Sequence, residues 1–321
     1  MIDFDRTRNA RITISNVISI RKNLNEMGDY NRIFPSQPGL TKAEDPQKYP
    51  FVMDKSVYNS TKPYLTDTIS INKIGTMRGK SIASLEINPV IYHPAGKYVD
   101  IIVSMNIFIE YSEVYRTGNN SKNYYSYDFD RFLSKGLINY DYDDVIPEFS
   151  LEPVGMVIVS DTAFKSSLQP LVKWKAKKGF KVTELYIGEN GLKKDFHDIK
   201  DTLTYIYTNS TQDNPAPTYL MLAGDLDYIP PSEGTDYLTD MYYAEFDGNY
   251  DFIPDMFTGR LPASDTNQMK AIVDKIIQYE SFMFGDTIKH FRKAVALTGL
   301  EEGNITFMDG QVNYATGYFN D

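Results

Sequence analysis

Gly155-Met-Val-Ile-Val-Ser160, Phe180-Lys-Val-Thr-Glu-Leu-Tyr186 and Tyr219-Leu-Met-Leu-Ala-Gly224 decide the fold of this chain. The first and third are short apolar runs of the kind a strand shows when both its faces are buried. Two stretches with helical period separate the three. Asp161 or Thr162 can cap the first, whose apolar stripe is Phe164, Leu168, Leu171, Val172 and the stem of Lys175; Gly179 ends it. The second runs from about Lys193 to Tyr207 with Phe196, Ile199, Leu203 and Ile206 on one face. Such alternation implies right-handed crossovers, hence a parallel sheet with helices on its faces.

Further on, Asp247-Gly248 suits a hairpin turn. Phe257-Thr-Gly-Arg-Leu-Pro262 leads to Ser264, which can cap a helix through about Phe282 with Met269, Ile272, Val273, Ile276 and Ile277 inward. Ala294-Val-Ala-Leu-Thr298 reads as another strand. Upstream the period drops to two. Arg11-Ile-Thr-Ile-Ser-Asn-Val-Ile-Ser-Ile20 and Tyr98-Val-Asp-Ile-Ile-Val-Ser-Met-Asn-Ile-Phe-Ile-Glu-Tyr111 alternate, and His93-Pro-Ala-Gly-Lys97 supplies a turn before the latter. With Lys80–Ile87 and Val90–Tyr92, these strands suggest a small sandwich. The predicted class is α+β overall: a β-sandwich over residues 1–113, a polar connector over 114–153 with one amphipathic piece at Phe132–Leu137, and a parallel α/β unit over 154–321.

Bulk properties narrow the function. The net charge of −10, with no Lys/Arg cluster to release counterions, argues against nucleic acid. No apolar run reaches the roughly 18–20 residues a bilayer span needs. The first residues show no basic region followed by an apolar stretch, so either the protein is cytoplasmic or its leader is missing from this sequence. There is no cysteine, which removes disulfides, thiolate metal sites and every thiol nucleophile within this sequence. His93, His197 and His290 have no partners at zinc-ligand spacing.

Ligands of open parallel sheets gather beyond the carboxyl ends of the strands. Those positions are Ser160-Asp161, Gly224-Asp225-Leu-Asp227 and Gly299-Leu-Glu301-Glu302-Gly303. From Asp225 to Gly259 there are nine carboxylates and no Lys or Arg, and a hard cation such as calcium would relieve their repulsion. Asp225, Asp227 and Asp240 are the candidate ligands. The same residues also read as a solvated acidic loop, with Asp225 capping the strand end, and Asp161 reads as a helix cap.

Several longer stretches carry a family resemblance. Tyr219-Leu-Met-Leu-Ala-Gly-Asp-Leu-Asp-Tyr-Ile-Pro230, Thr239-Asp-Met-Tyr-Tyr243, Asp255-Met-Phe-Thr-Gly-Arg-Leu-Pro262 and Ile277-Gln-Tyr-Glu280 resemble the gingipain cysteine peptidases in order and spacing. Met77-Arg-Gly-Lys-Ser-Ile-Ala-Ser-Leu-Glu-Ile-Asn-Pro89 and Tyr92–Lys97 are similar to that family's propeptide. The resemblance implies a secreted, bacterial surface or extracellular, calcium-containing zymogen with a caspase-like catalytic domain of two α/β subdomains. It implies a protein or peptide substrate and a propeptide packed on the catalytic domain. The family's His-Gly and nucleophilic Cys have no match here, so the sequence is read as propeptide, scaffold subdomain and the opening of the second subdomain, inactive alone. Glu301 fits the acid that supports the catalytic histidine in that family, with Glu302 next door. A non-catalytic surface protein built for binding or assembly on the same scaffold is the rival reading. A receiver- or flavodoxin-like binding module is a further one.

Overall fold

The computed structural model describes residues 1–4, 10–28, 32–40, 45, 48–64, 67–111, 124–140, 154–211, 214–233, 238–248, 252–282, 295–296 and 305–320. Strands β1 (Ile2–Asp3), β2 (Ala10–Asn23), β3 (Ile69–Met77), β4 (Lys80–Ile87), β5 (Val90–His93) and β6 (Tyr98–Tyr111), with the single-turn helix α1 (Lys55–Tyr58), make the first half. They form two antiparallel three-stranded sheets, ordered β1-β4-β3 and β2-β6-β5. Ile109 of β6 packs on the Ile2, Phe4 and Ala83 cluster of the other sheet. The turn at His93–Lys97 joins β5 to β6 as expected, with Lys97 at φ +54°.

A second hairpin, β3–β4, turns on Arg78 at φ +49° and Gly79 at φ +77°. Two successive left-handed residues match the twist of the flanking strands, and glycine takes one of the two places at no steric cost. The hairpin tip points into the second half of the chain, where it matters below.

Helix α2 (Tyr127–Gly136) occupies the stretch read as a connector. Its Phe129, Leu133 and Leu137 side pack on Met77 and Ile82 of the β3–β4 hairpin and on Ile253 of the following half. Phe129 stacks on Phe257 with ring centroids 4.1 Å apart. The amphipathic piece is therefore a wedge between the two halves.

The second half contains β7 (Gly155–Asp161), α3 (Lys165–Lys177), β8 (Lys181–Ile187), α4 (Phe196–Thr208), β9 (Tyr219–Ala223), the short antiparallel pair β10 (Ser232–Glu233) and β11 (Leu238–Thr239), β12 (Phe257–Leu261), α5 (Thr266–Glu280) and α6 (Ile305–Asn320). The main sheet is wholly parallel, in the order β12-β9-β7-β8. The two-residue period of β7 divides the core. Val157 and Val159 face α4 with Leu220, Leu222, Ile199, Leu203 and Tyr243. Met156 and Ile158 face α3 and α5 with Leu168, Leu171, Met269 and Val273. Three layers result, as the strand–helix alternation requires.

Local details differ from the sequence reading. Asp161 caps a 3-10 turn at Thr162–Phe164 that precedes α3, accepting from Ala163 N at 2.8 Å. Helix α4 begins at Phe196 behind an Asp195 cap rather than at Lys193, because Asp195 accepts from Asp198 N. Helix α5 is capped by Asp265, which accepts from Asn267 and Gln268, and not by Ser264. No strands flank Asp247-Gly248 among the described residues; a 3-10 turn, Met241–Ala244, lies there and the antiparallel pair comes earlier. Phe257–Leu261 is the edge strand β12, paired in parallel with β9. The proposed strand at Ala294–Thr298 falls almost wholly outside the described residues.

Helices α3 and α5 are tied by Glu280, which accepts from Trp174 Nε1 at 2.8 Å, Lys175 Nζ at 2.5 Å and Lys178 Nζ at 3.0 Å. Burial alone would raise the Glu280 acid, but these donors outweigh it and hold the carboxyl below its ordinary value. A carboxyl depressed in the folded state contributes stability above the unfolded value near 4.3, and that contribution is lost as pH falls through the folded one. Urea denaturation should show Glu280→Gln about 1–2 kcal/mol less stable than wild type at pH 7, with the gap closing in acid.

Candidate functional site

Polar side chains meet at the rim beyond the strand carboxyl ends and at the junction where the β3–β4 hairpin enters the second half. At the rim, β9 runs on into Gly224-Asp225, whose backbone N–H groups donate to Leu261 O at 2.9 Å and Ala263 O at 3.0 Å. Asp225 accepts from Leu226 N at 2.8 Å and from Ser264 Oγ at 3.1 Å. Asp225 thereby ties the end of β9 to Ser264.

Arg260 on β12 organises the rest of the rim. Its Nε and Nη2 donate to the two oxygens of Asp240 at 2.8 and 2.7 Å, and its Nη1 donates to Gly224 O at 2.9 Å and Ile229 O at 3.0 Å. A planar fork pairs with both carboxylate oxygens at once, which a lysine cannot do. Asp227 is exposed.

Calcium takes six to eight oxygens, several from carboxylates. The two oxygens of Asp240 are turned to Arg260 and those of Asp225 to Leu226 and Ser264. No group of three acids or histidines able to hold a metal occurs among the described residues. Asp225 and Asp240 thus already have protein partners, while Asp227 is exposed. The base that answers this acid-only stretch is Arg260, which lies just past it in the sequence. Glu301 and Glu302 lie outside the described residues.

The junction is better built. Arg78 is 5% exposed and Asp255 1% exposed. The Arg78 backbone N–H donates to Asp255 Oδ1 at 2.5 Å, and Asp255 Oδ2 accepts from Phe246 N at 3.0 Å. The guanidinium donates to four carbonyls: Nε to Tyr124 O at 2.6 Å, Nη1 to Pro217 O at 2.9 Å and Asp255 O at 2.8 Å, and Nη2 to Ala216 O at 3.1 Å. Its carbon lies 5.1 Å from the Phe129 ring centroid and 5.5 Å from that of Tyr207. Burial pushes the guanidinium pKa down, with Tyr207, Asp255 and Tyr124 opposing. One arginine thus joins the first half, the helical wedge and two segments of the second half. In the sequence its trace is an Arg-Gly pair between two runs of strand period.

Beside the junction, the Lys200 ammonium on α4 donates to Glu245 O and lies 4.3 Å from the Phe246 ring centroid. Burial brings its pKa down to about 8, with Glu245, Asp255 and Asp201 opposing. Between that value and about 10.4 the unfolded chain holds a proton that the folded chain has released, so stability rises with pH across this window. Lys200→Met should remove that rise, which thermal melts at a series of alkaline pH values would show.

The model of the C25 propeptide matches residues 1–146, and that of peptidase family C25 matches residues 150–320. The chain belongs to peptidase family C25. Lys-gingipain of Porphyromonas gingivalis is 31% identical over 302 residues, covering 92% of this chain and 17% of that protein. Gingipain R2 of the same organism is 24% identical over 262 residues, covering 77% and 33%. The C25 chain thus spans about a sixth of the length of its Lys-gingipain relatives. A solved structure on the zymogenic latency of gingipain K from Porphyromonas gingivalis matches 35% of this chain and 62% of its own at 26% identity, with a TM-score of 0.31. The complex of RgpB pro- and mature domains from that organism matches 39% and 28% at 21% identity, with a TM-score of 0.35. The C25 propeptide match ends, and the peptidase match begins, between the helical wedge and β7.

Proposed function

We propose that this chain is the pro-half and opening scaffold of a secreted cysteine endopeptidase made as a zymogen. Membership of the C25 family supports the reaction class, and the Arg78 junction supports a pro-half held on the peptidase half. Peptide-bond cleavage of this type needs a thiolate activated by a nearby imidazole, with backbone donors around the developing oxyanion. This sequence has no cysteine, and its three histidines are each followed by a residue other than glycine. The reading therefore requires a strand ending in His-Gly and another ending in Cys, neither of which is within these 321 residues. The residues described above would then supply no chemical step. They set the sheet on which the second subdomain is built, and they seat the domain that keeps the enzyme latent.

The test uses the complete protein. A peptidyl chloromethyl ketone should alkylate one cysteine and stop hydrolysis of a peptide substrate. Absence of both a labelled cysteine and hydrolysis would favour the rival, a binding or assembly protein on the same scaffold.

A further inference from the structure

The guanidinium of Arg78 sits in a cradle whose acceptors are mostly not its own domain's. Ala216 O, Pro217 O and Asp255 O belong to the α/β half, and Tyr124 O to the stretch that leads into α2. Ala216 and Pro217 lie just before β9, with Thr218 between, and Asp255 lies just before β12, with Met256 between. The cradle is therefore at the amino ends of the parallel strands, across the sheet from the rim of Asp225, Asp240 and Arg260.

Its chemistry is selective. Four backbone carbonyls are arranged around a flat, five-donor group, and two aromatic rings lie against it. A lysine ammonium is a compact charge with three donors on a tetrahedral centre and cannot span the same carbonyls. The Asp255 carboxylate does not grip the guanidinium; it accepts the backbone N–H of Arg78 and so reads the turn that carries the side chain. Shape of the turn and identity of the side chain are recognised by different atoms.

We propose that the α/β half carries a guanidinium receptor, distinct from the strand-end rim, which recognises an arginine presented on a left-handed hairpin turn. Arg78 fills it within this chain. The proposal deepens the pro-half reading, on which it rests only for when the receptor opens: once the pro-half leaves, three carbonyls and Asp255 remain. The receptor then takes the arginine hairpin of a separated pro-half, including one from a second copy of the protein.

Arg78→Gly in the full chain empties the cradle while keeping the backbone N–H that Asp255 accepts, and glycine suits the φ of +49°. Thermal melting is then followed with N-methylguanidinium and, at equal ionic strength, with methylammonium. The expected result is a lowered Tm that N-methylguanidinium raises saturably by mass action on the folded state, with wild type unmoved and methylammonium without effect. An equal response of variant and wild type, or of the two cations, overturns the receptor. If Arg78→Gly does not fold, Arg78→Lys decides: a Tm more than about 4 °C below wild type supports a guanidinium-specific site, and a wild-type Tm overturns it. Rescue together with a complete protein that is never latent would keep the receptor and remove the pro-half reading. Latency without rescue would do the reverse.

Discussion

Asp255→Ala is expected to lower stability by about 2–4 kcal/mol, because two buried backbone N–H groups lose their acceptor at about 1–3 kcal/mol each. The carboxylate is 1% exposed and accepts from the backbone N–H groups of both Arg78 and Phe246. Alanine leaves those two donors buried without an acceptor, and leaves the Arg78 guanidinium without a neighbouring negative charge. Asp255→Asn keeps the Oδ1 acceptor and should lose less than half as much. Urea midpoints for the three proteins check the order. Equal stability of Asp255→Ala and wild type would mean that the junction does not hold the two halves together in solution.

Arg260→Ala should cost about 2–4 kcal/mol, because charge-assisted hydrogen bonds to Asp240 are lost and the carbonyls of Gly224 and Ile229 lose a donor. The Arg260 side chain is 11% exposed and the Asp240 side chain 27%, so water replaces part of what is lost on the acid's side. Lysine at this position keeps the charge but not the fork, and should recover less than half. The loss should be local first. Hydrogen exchange at Tyr228 and Ile229, whose N–H groups bond to Asp225 O, should quicken before the sheet itself opens.

The parallel half was legible because its signals are local and agree with one another. Buried strands such as β7 show as unbroken apolar runs (Met156, Val157, Ile158 and Val159), and α4 shows its stripe at Ile199 and Leu203. Strand β12 escaped notice since Phe-Thr-Gly-Arg-Leu alternates poorly and places Gly259 and Arg260 where an apolar pair would be expected; its partner β9 and the Arg260 network fix it instead. The candidate sites were less legible for a physical reason. A run of acids without bases suggests a metal when read along the chain, but Arg260 returns across the sheet and takes Asp240. Arg78 looked like an ordinary hairpin residue because nothing in the sequence tells that Ala216, Pro217 and Asp255 converge on it from 138, 139 and 177 positions away. Helix caps fall between these cases. Asp161 was readable, whereas Ser264 and Asp265 compete one residue apart and only the geometry of Asn267 and Gln268 chooses Asp265.

The wedge helix and the Arg78 hairpin give the chain one physical theme, a first domain anchored on the amino ends of the sheet that the second domain provides. Latency of the complete protein before and after cleavage in the stretch between residues 140 and 154 tests this most directly. The account predicts negligible peptide hydrolysis before the cut, and after it hydrolysis that a thiol-alkylating reagent abolishes. Full activity without the cut, or none after it, would contradict the account.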